Sequence, residues 1–431
     1  MHHVSMRATR RAVIPGSLLL LLSLAFASAC SNREATGEST STPAASTPAA
    51  SASPTVGAPN VPSVYTAMYQ FLSQSLDDWQ QKLKGQQPSG TGPVFGAHLL
   101  AANANRGEEL LRPTTLPVVD ASLDHLKQLG LQGVTITISF PLLNTDYPRA
   151  ADYLAFYATV AQHVRARGMT LSVEQHVVFA GTPFSDIKFD YAKLPFDQFV
   201  AQFREMTGKI LERVKPDYLT LLSEPDTFGK LTGYREAGTP QGAATMIGRV
   251  IQGLDRGQAK LGAGAGSWLT NAPEYDTAFA RLALDYIDLH IYPLTGQTMD
   301  TARRIAEIAK AAGKPIVLDE AWLYKIGADE RSDTAFDQAT QAFRRDAFSF
   351  WAPLDARFLA LVAQFARANG VVYVAPFWST FFWSYVDYNP ATKDLPYARL
   401  SELANQAVTK ALRDGTFTST GDAYGATIKV R

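Results

Sequence analysis

Cysteine is nearly absent: the chain holds one, Cys30, in 431 residues. No disulfide can form within one copy, so the fold must stand on its packed core. An excess of either charge is missing too. Lys plus Arg and Asp plus Glu each number 40, which leaves no long-range field of the kind that draws in nucleic acid or an anionic membrane surface. An uncharged ligand such as a sugar fits that balance better than a polyanion, and no nucleic-acid partner is expected. Histidine is sparse, at 7, and never takes the His-x-His or His-Glu-x-x-His spacing that holds a metal. No metal and no cofactor are expected. The stretch Gly262-Ala-Gly-Ala-Gly266 lacks the Lys-Ser/Thr of a phosphate loop, and close packing of a strand explains it better.

The apolar run from Leu18 to Ala29 is too short for a permanent membrane helix. Arg7, Arg10 and Arg11 precede it, as in a secretory signal peptide of residues 1–29. Ala27-Ser-Ala-Cys30 resembles a bacterial lipobox, with Ala27 where leucine is usual. That resemblance implies lipidation of Cys30 and an exported, membrane-anchored lipoprotein at the cell surface or periplasmic face. Plain cleavage after Ala29, giving a secreted protein, is the alternative. Residues 30–60 are rich in Ser, Thr, Ala and Pro and cannot bury a core. They form a tether with a reach on the order of 30 Å.

Residues 61–92 hold a helix, with Val64, Met68, Phe71, Leu72 and Leu76 on one face, that packs on the adjoining domain. From 93 to 415 short β-branched runs alternate with amphipathic stretches. The strands expected are 94–99, 134–140, 170–177, 218–223, 261–266, 286–292, 315–319 and 371–377. Helices are expected over 152–167, 196–214, 302–312, 358–369 and 396–412, and 416–431 as a C-terminal tail. Eight such units point to an α/β fold, a TIM (β/α)8 barrel. A doubly wound sheet is the competitor, but no phosphate-binding turn follows the first strand. Alternation places Thr135, Thr137 and Ser139, then Ser172, Glu174 and His176, then Asp288, His290 and Tyr292, on faces opposite the aliphatic residues. A polar interior thickening toward the strands' C-terminal ends marks where barrel enzymes do chemistry.

Two acids close apolar strands: Glu224 in Ser223-Glu-Pro225, and Glu320 in Pro315-Ile-Val-Leu-Asp-Glu320. One strand-end acid alone reads as a helix cap or an ion-pair partner. Two, on the fourth and seventh strands, place carboxyls across one barrel mouth, the pairing that glycosidic cleavage needs. Together with His290-Ile-Tyr292, His176 on the third strand, and Trp378 and Trp383 after the eighth, these motifs resemble the clan of retaining (β/α)8 β-glycosidases that includes cellulases, mannanases and galactanases (glycoside hydrolase clan A). The resemblance spans about residues 93–413. It implies Glu224 as acid/base, Glu320 as nucleophile and Tyr292 in contact with the nucleophile. Ser223 departs from it, since the clan carries asparagine there to bind the sugar 2-hydroxyl.

Substrate contacts are expected from His98, His176, Ser223, Trp268, His290, Tyr292, Trp322 and Trp378. For Trp322 and Trp378, at strand ends, sugar stacking is favoured over core packing. Phe381 and Phe382 read as core. The long connection 321–353 reads as a wall of the cleft. The expected activity is hydrolysis of a β-glycosidic bond in a poly- or oligosaccharide by a monomer. One alternative is a glycan-binding surface lipoprotein without turnover. Another is a metal-dependent barrel hydrolase or isomerase using His98, His176, His290, Glu174 and Asp288.

Overall fold

The computed structural model describes residues 60–430, apart from 91, 293–295 and 328–335. The signal, Cys30 and nearly all of the tether lie outside the described residues. Eight parallel strands close into a barrel in sequential order. They are β1 Val94–His98, β2 Gly133–Phe140, β3 Thr170–Val177, β4 Tyr218–Thr220, β5 Lys260–Gly266, β6 Tyr286–Ile291, β7 Ile316–Ala321 and β8 Val371–Pro376. The helices are α1 Thr66–Leu83, α2 Thr115–Leu129, α3 Ala150–Ala166, α4 Phe196–Lys209, α5 Pro225–Thr232, α6 Pro240–Ile251, α7 Ala272–Ala280, α8 Gly296–Ala311, α9 Phe336–Asp346, α10 Ala352–Ala368, α11 Tyr397–Asp414 and α12 Ser419–Lys429. Among the described residues no helix is long and apolar enough to cross a membrane.

The amphipathic helices bury one stripe each against the aliphatic outer face of the sheet. In β2 that face is Val134, Ile136 and Ile138, all fully buried. The barrel's lower interior is filled by Tyr218, Tyr286, Val317, Tyr373 and Ala375. These broad rings need room on the neighbouring strands, and β5 supplies it. A Cβ on Gly262 would stand 2.0 Å from the Tyr286 ring, and one on Gly264 would stand 1.8 Å from the Asp288 carbonyl oxygen. The Gly-Ala-Gly-Ala-Gly run is therefore a packing device.

β7 carries one residue more than either neighbour between its paired positions. Asp288 and His290 of β6 face Val317 and Glu320, while Val374 and Pro376 of β8 face Leu318 and Ala321. This bulge breaks the in–out alternation. As a result Asp319 and Glu320, adjacent in sequence, both turn into the barrel.

Two expectations are corrected. The face of α1 that packs is Leu72, Leu76, Trp79 and Leu83, while Val64 lies in a 3-10 turn before it and is 71% exposed. Of the residues expected on that face, Met68 and Phe71 also pack against the core, and Val64 alone falls outside it because the helix starts at Thr66. The tail 416–431 contains α12, which buries Tyr424 edge-on against Phe95 and stacks it on Phe382. Its glycines, Gly421 and Gly425, masked it in sequence. They are there because the helix backbone runs close to Phe382 and Leu129, where a Cβ would fall 2.5 and 3.1 Å from carbonyl oxygens.

Candidate active site

The mouth of the barrel gathers acids around one imidazole. Glu224 sits just past β4 as the residue before α5, whose first turn begins with Pro225. Proline suits that first position because its missing N–H would be unpaired there anyway. It also holds the preceding residue extended; Glu224 has φ −134° and ψ 81°, which aims its side chain back over the mouth. Glu320 comes from the bulge in β7, and His290 from β6 between them.

His290 donates from Nδ1 to Glu224 Oε1 at 3.0 Å and from Nε2 to Glu174 Oε1 at 2.9 Å. Asp288 Oδ2 lies 3.3 Å from Nε2, and Glu320 Oε2 lies 3.6 Å from Nδ1. Burial disfavours its charge, but Asp288, Glu320 and Glu174 outweigh that and hold its pKa well above the usual histidine value. His290 is therefore an imidazolium. Glu320 accepts from the Tyr292 hydroxyl at 3.1 Å. His98 lies 3.7 Å from Glu320 and donates from Nε2 to the Asp319 carbonyl at 2.8 Å. Among the ligand-type atoms of Glu224, His290 and Glu320, all fall within 4.8 Å of one another, as do those of His98, Glu174 and Glu320.

The carboxyls are not equivalent. Burial pushes Glu174 up, but the charge and hydrogen bond of His290, with His98, bring it down to about 2. Burial also opposes ionisation of Glu224, and the His290 hydrogen bond and charge, helped by His176, again win and lower it. Glu320 goes the other way. Burial and the charge of Glu174 raise it well above the carboxylate range, against the pull of His290. The surroundings thus favour the charged forms of Glu174 and Glu224 and the protonated form of Glu320.

Below this layer Asp319 accepts from Thr135 of β2 at 2.8 Å, Ser172 of β3 at 2.9 Å and Thr220 of β4 at 3.1 Å. Tyr373 and Tyr286 complete the network on Thr135 and Thr220. Burial, with Glu174 and Asp288 nearby, pushes the Asp319 carboxyl up against those three donors.

Of the residues singled out in sequence, His98, His176, His290, Tyr292, Glu224 and Glu320 come together here. His176 is buried, bonds through Nδ1 to the Val177 carbonyl and influences Glu224. Ser223 is buried at the end of the same run. Trp268 is half-buried, edge-on to Tyr292, with its indole donating to Asp226 at 3.2 Å. Trp378 is half-buried against Phe377, Phe343 and Phe381. Trp322 is corrected: it is 0% exposed, lies against Phe381 and under the Lys325 ammonium, and offers no face to a sugar. The bulge spends the strand's last inward position on Glu320, and the chain turns Trp322 into the core.

Sequence reasoning missed Tyr324, Phe343 and Asp319 as parts of the site, and assigned Glu174 only to a metal alternative. An acid on the inward face of β3 was the available signal for Glu174. A metal does not suit this arrangement. His98 Nε2 is spent on a carbonyl and both nitrogens of His290 donate to carboxylates, so none of these three nitrogens presents a lone pair to a cation.

The closed parallel barrel thus holds Glu224 and Glu320 on either side of His290 at the C-terminal ends of its strands. No protein-family model matches the sequence, and no curated protein matches it. The fold is similar to that of GH5_18 from Bifidobacterium longum subsp. longum, at 15% identity and a TM-score of 0.49 over 78% of each chain. It is also similar to an exo-β-1,4-mannosidase from an Opitutaceae bacterium, at 16% identity and a TM-score of 0.45 over 74% of this chain and 60% of that one. An endo-β-1,4-mannanase from Cellulomonas fimi is similar at 16% identity and a TM-score of 0.42, over 77% of this chain and 74% of that one. These likenesses concern the barrel.

Proposed function

We propose that the chain is a glycoside hydrolase that cleaves a β-glycosidic bond with retention of configuration. The observation that carries this reading is the pair Glu224 and Glu320, with carboxylate oxygens within 4.8 Å of each other at one barrel mouth. Retaining enzymes place their two carboxyls about 5–5.5 Å apart, and inverting ones about 6.5–9.5 Å apart to admit a water. Glu320 is the nucleophile. Its anion, formed as its proton passes to Glu224, would be stabilised by the Tyr292 hydroxyl. It attacks the anomeric carbon while Glu224 protonates the departing oxygen, and Glu224 then takes a proton from the water that hydrolyses the glycosyl ester. His290 holds Glu224 in place and compensates its charge.

A second reading comes from the same site's electrostatics. Its surroundings favour the proton on Glu320 and the charge on Glu224, the order expected if Glu320 were the acid and Glu224 the nucleophile. One experiment separates the two. On an aryl glycoside with a good leaving group, the variant lacking its acid/base keeps a burst of phenol and is accelerated by azide. The variant lacking its nucleophile forms no covalent intermediate and shows no burst. Glu224→Ala is expected to burst and Glu320→Ala is not. The opposite pattern reverses the roles, and no turnover by the unaltered protein on any β-glycoside overturns the proposal.

Export with a lipid on Cys30 belongs to the same proposal, supported by the Ala27-Ser-Ala-Cys30 stretch and the tether behind it. Cys30→Ala should move the protein from the membrane fraction to the soluble one. A protein that stays in the membrane fraction without Cys30 contradicts the anchor.

A further inference from the structure

Loops from opposite sides of the barrel meet above the mouth. β3 and β7 are four strands apart in a closed barrel of eight, so they face each other across it. The connection after β3 (178–195) carries Phe184. Phe184 packs edge-on against Phe343 of α9 at 5.2 Å and against Tyr397 of α11 at 6.0 Å. α9 belongs to the connection after β7, and α11 to that after β8. The crossing is held at both ends. On one side, the Asn105 side chain accepts from the Phe179 backbone N–H at 2.8 Å, and Ser185 donates to the Asn105 carbonyl at 2.9 Å. On the other, Arg344 donates to the carbonyls of Leu395 and Lys393.

This bridge stands on the partners of Glu320. Phe343 meets Tyr324 at 5.4 Å, Tyr324 lies 4.6 Å from Tyr292, and Tyr292 bonds Glu320. Phe343 also meets Trp378 at 5.3 Å, which rests on Phe377, which in turn lies 4.8 Å from His98 beside Glu320. Trp268 lies edge-on to Tyr292 at 6.0 Å and is tied through its indole to Asp226, two residues past Glu224.

We infer that the aromatic bridge from Phe184 to Phe343 and Tyr397 blocks one end of the cleft, so that the site takes the non-reducing end of a β-linked oligosaccharide and removes residues from it, rather than cutting within a polymer. The inference rests on the glycosidase reading and on Glu320 as nucleophile. The sugar that gives up its anomeric carbon lies over the nucleophile, and the leaving chain extends past the acid. A wall built on the nucleophile's partners therefore closes the glycone side. The leaving chain runs out along Trp268.

The test uses the mature chain with β-1,4-linked gluco-, manno-, xylo- and galacto-oligosaccharides fluorescently labelled at the reducing end, and with dye-crosslinked polysaccharides of the same sugars. Labelled products shortened one step at a time from the non-reducing end, with no dye release, are expected. Phe184→Ala and Tyr397→Ala should each add internal cuts to the product ladder, while cleavage of an aryl monoglycoside persists. Early internal cleavage by the unaltered protein overturns the inference and leaves the glycosidase reading standing. So does loss of one residue at a time from the labelled end. Failure to bind or cleave any member of the panel overturns both. Should either variant fold poorly, Phe184→Leu, which shortens the bridge but keeps its apolar volume, gives the same comparison.

Discussion

Replacing Glu174 by glutamine is the most informative single change. Glutamine keeps an oxygen to accept from His290 and presents an N–H₂ to Glu320, so it keeps the hydrogen-bonding shape of Glu174 while removing its charge. The carboxylate oxygens of Glu174 and Glu320 lie within 4.8 Å. Two unit charges at that distance repel by about 3.5 kcal/mol at an effective dielectric of about 20. That repulsion is the largest cause after burial for the raised pKa of Glu320. His290 keeps its hydrogen bond to Glu224, whose carboxyl is held toward the charged form, and keeps Asp288 and Glu320 beside it. The assay is kcat/KM on an aryl β-glycoside across pH. If Glu320 must be ionised to attack, activity is lost as pH falls through its pKa. Lowering that pKa then carries the acid limb of the profile down, on the order of two pH units. If Glu320 instead supplies the proton, activity is lost as pH rises through its pKa, and the alkaline limb moves down. A profile in which neither limb moves would falsify the electrostatic coupling altogether.

The remaining predictions concern the frame. Lys325 is fully buried and pairs with Asp355 at 2.5 Å and Asp346 at 3.2 Å; burial pushes Asp346 up to about 6, against Lys325. A carboxyl raised in the folded state costs stability above that pH and recovers it as pH falls toward the ordinary value, a difference on the order of 3 kcal/mol. Asp346→Asn should therefore raise the urea midpoint at pH 7–8 and give no gain near pH 4; a gain equal at both pH values refutes it. Gly264→Ala drives a methyl into the Asp288 carbonyl, so soluble yield should collapse, and a variant with an unchanged melting temperature would contradict the close approach of β5 and β6. Trp268→Ala should raise KM for oligosaccharides more than for an aryl monoglycoside; equal effects on both would argue that the indole does not meet the leaving chain.

Much of the barrel was legible because its signals are local. β-branched runs, alternation on β2, β3 and β6, and acids at strand ends need no tertiary information, and β3 spans 170–177 in both sequence and structure. What stayed hidden depends on register or on long-range contact. The bulge in β7 cannot be seen in Pro315-Ile-Val-Leu-Asp-Glu320, so strict alternation gave Asp319 no part in the site and left Trp322 facing the cleft. β4 is regular only over Tyr218–Thr220, although Leu221 and Leu222 go on bonding the backbone of β5. Glu174 has its meaning only through His290, 116 residues away. The bridge at Phe184 joins three loops, none of which announces the others.

The adjacency of Asp319 and Glu320 has a bearing on where activity can be altered. Asp319 is clasped by hydroxyls from β2, β3 and β4, on the far side of the barrel from its own strand. The Glu320 carboxyl is thus mounted, one peptide away, on a three-point fixture spanning the barrel. Thr135, Ser172 and Thr220 are fully buried, yet trimming any of these hydroxyls loosens the mount and with it the aim of Glu320. Variants selected for altered turnover should therefore recur deep in the barrel, at these threonines and this serine, where a search confined to the cleft would never look.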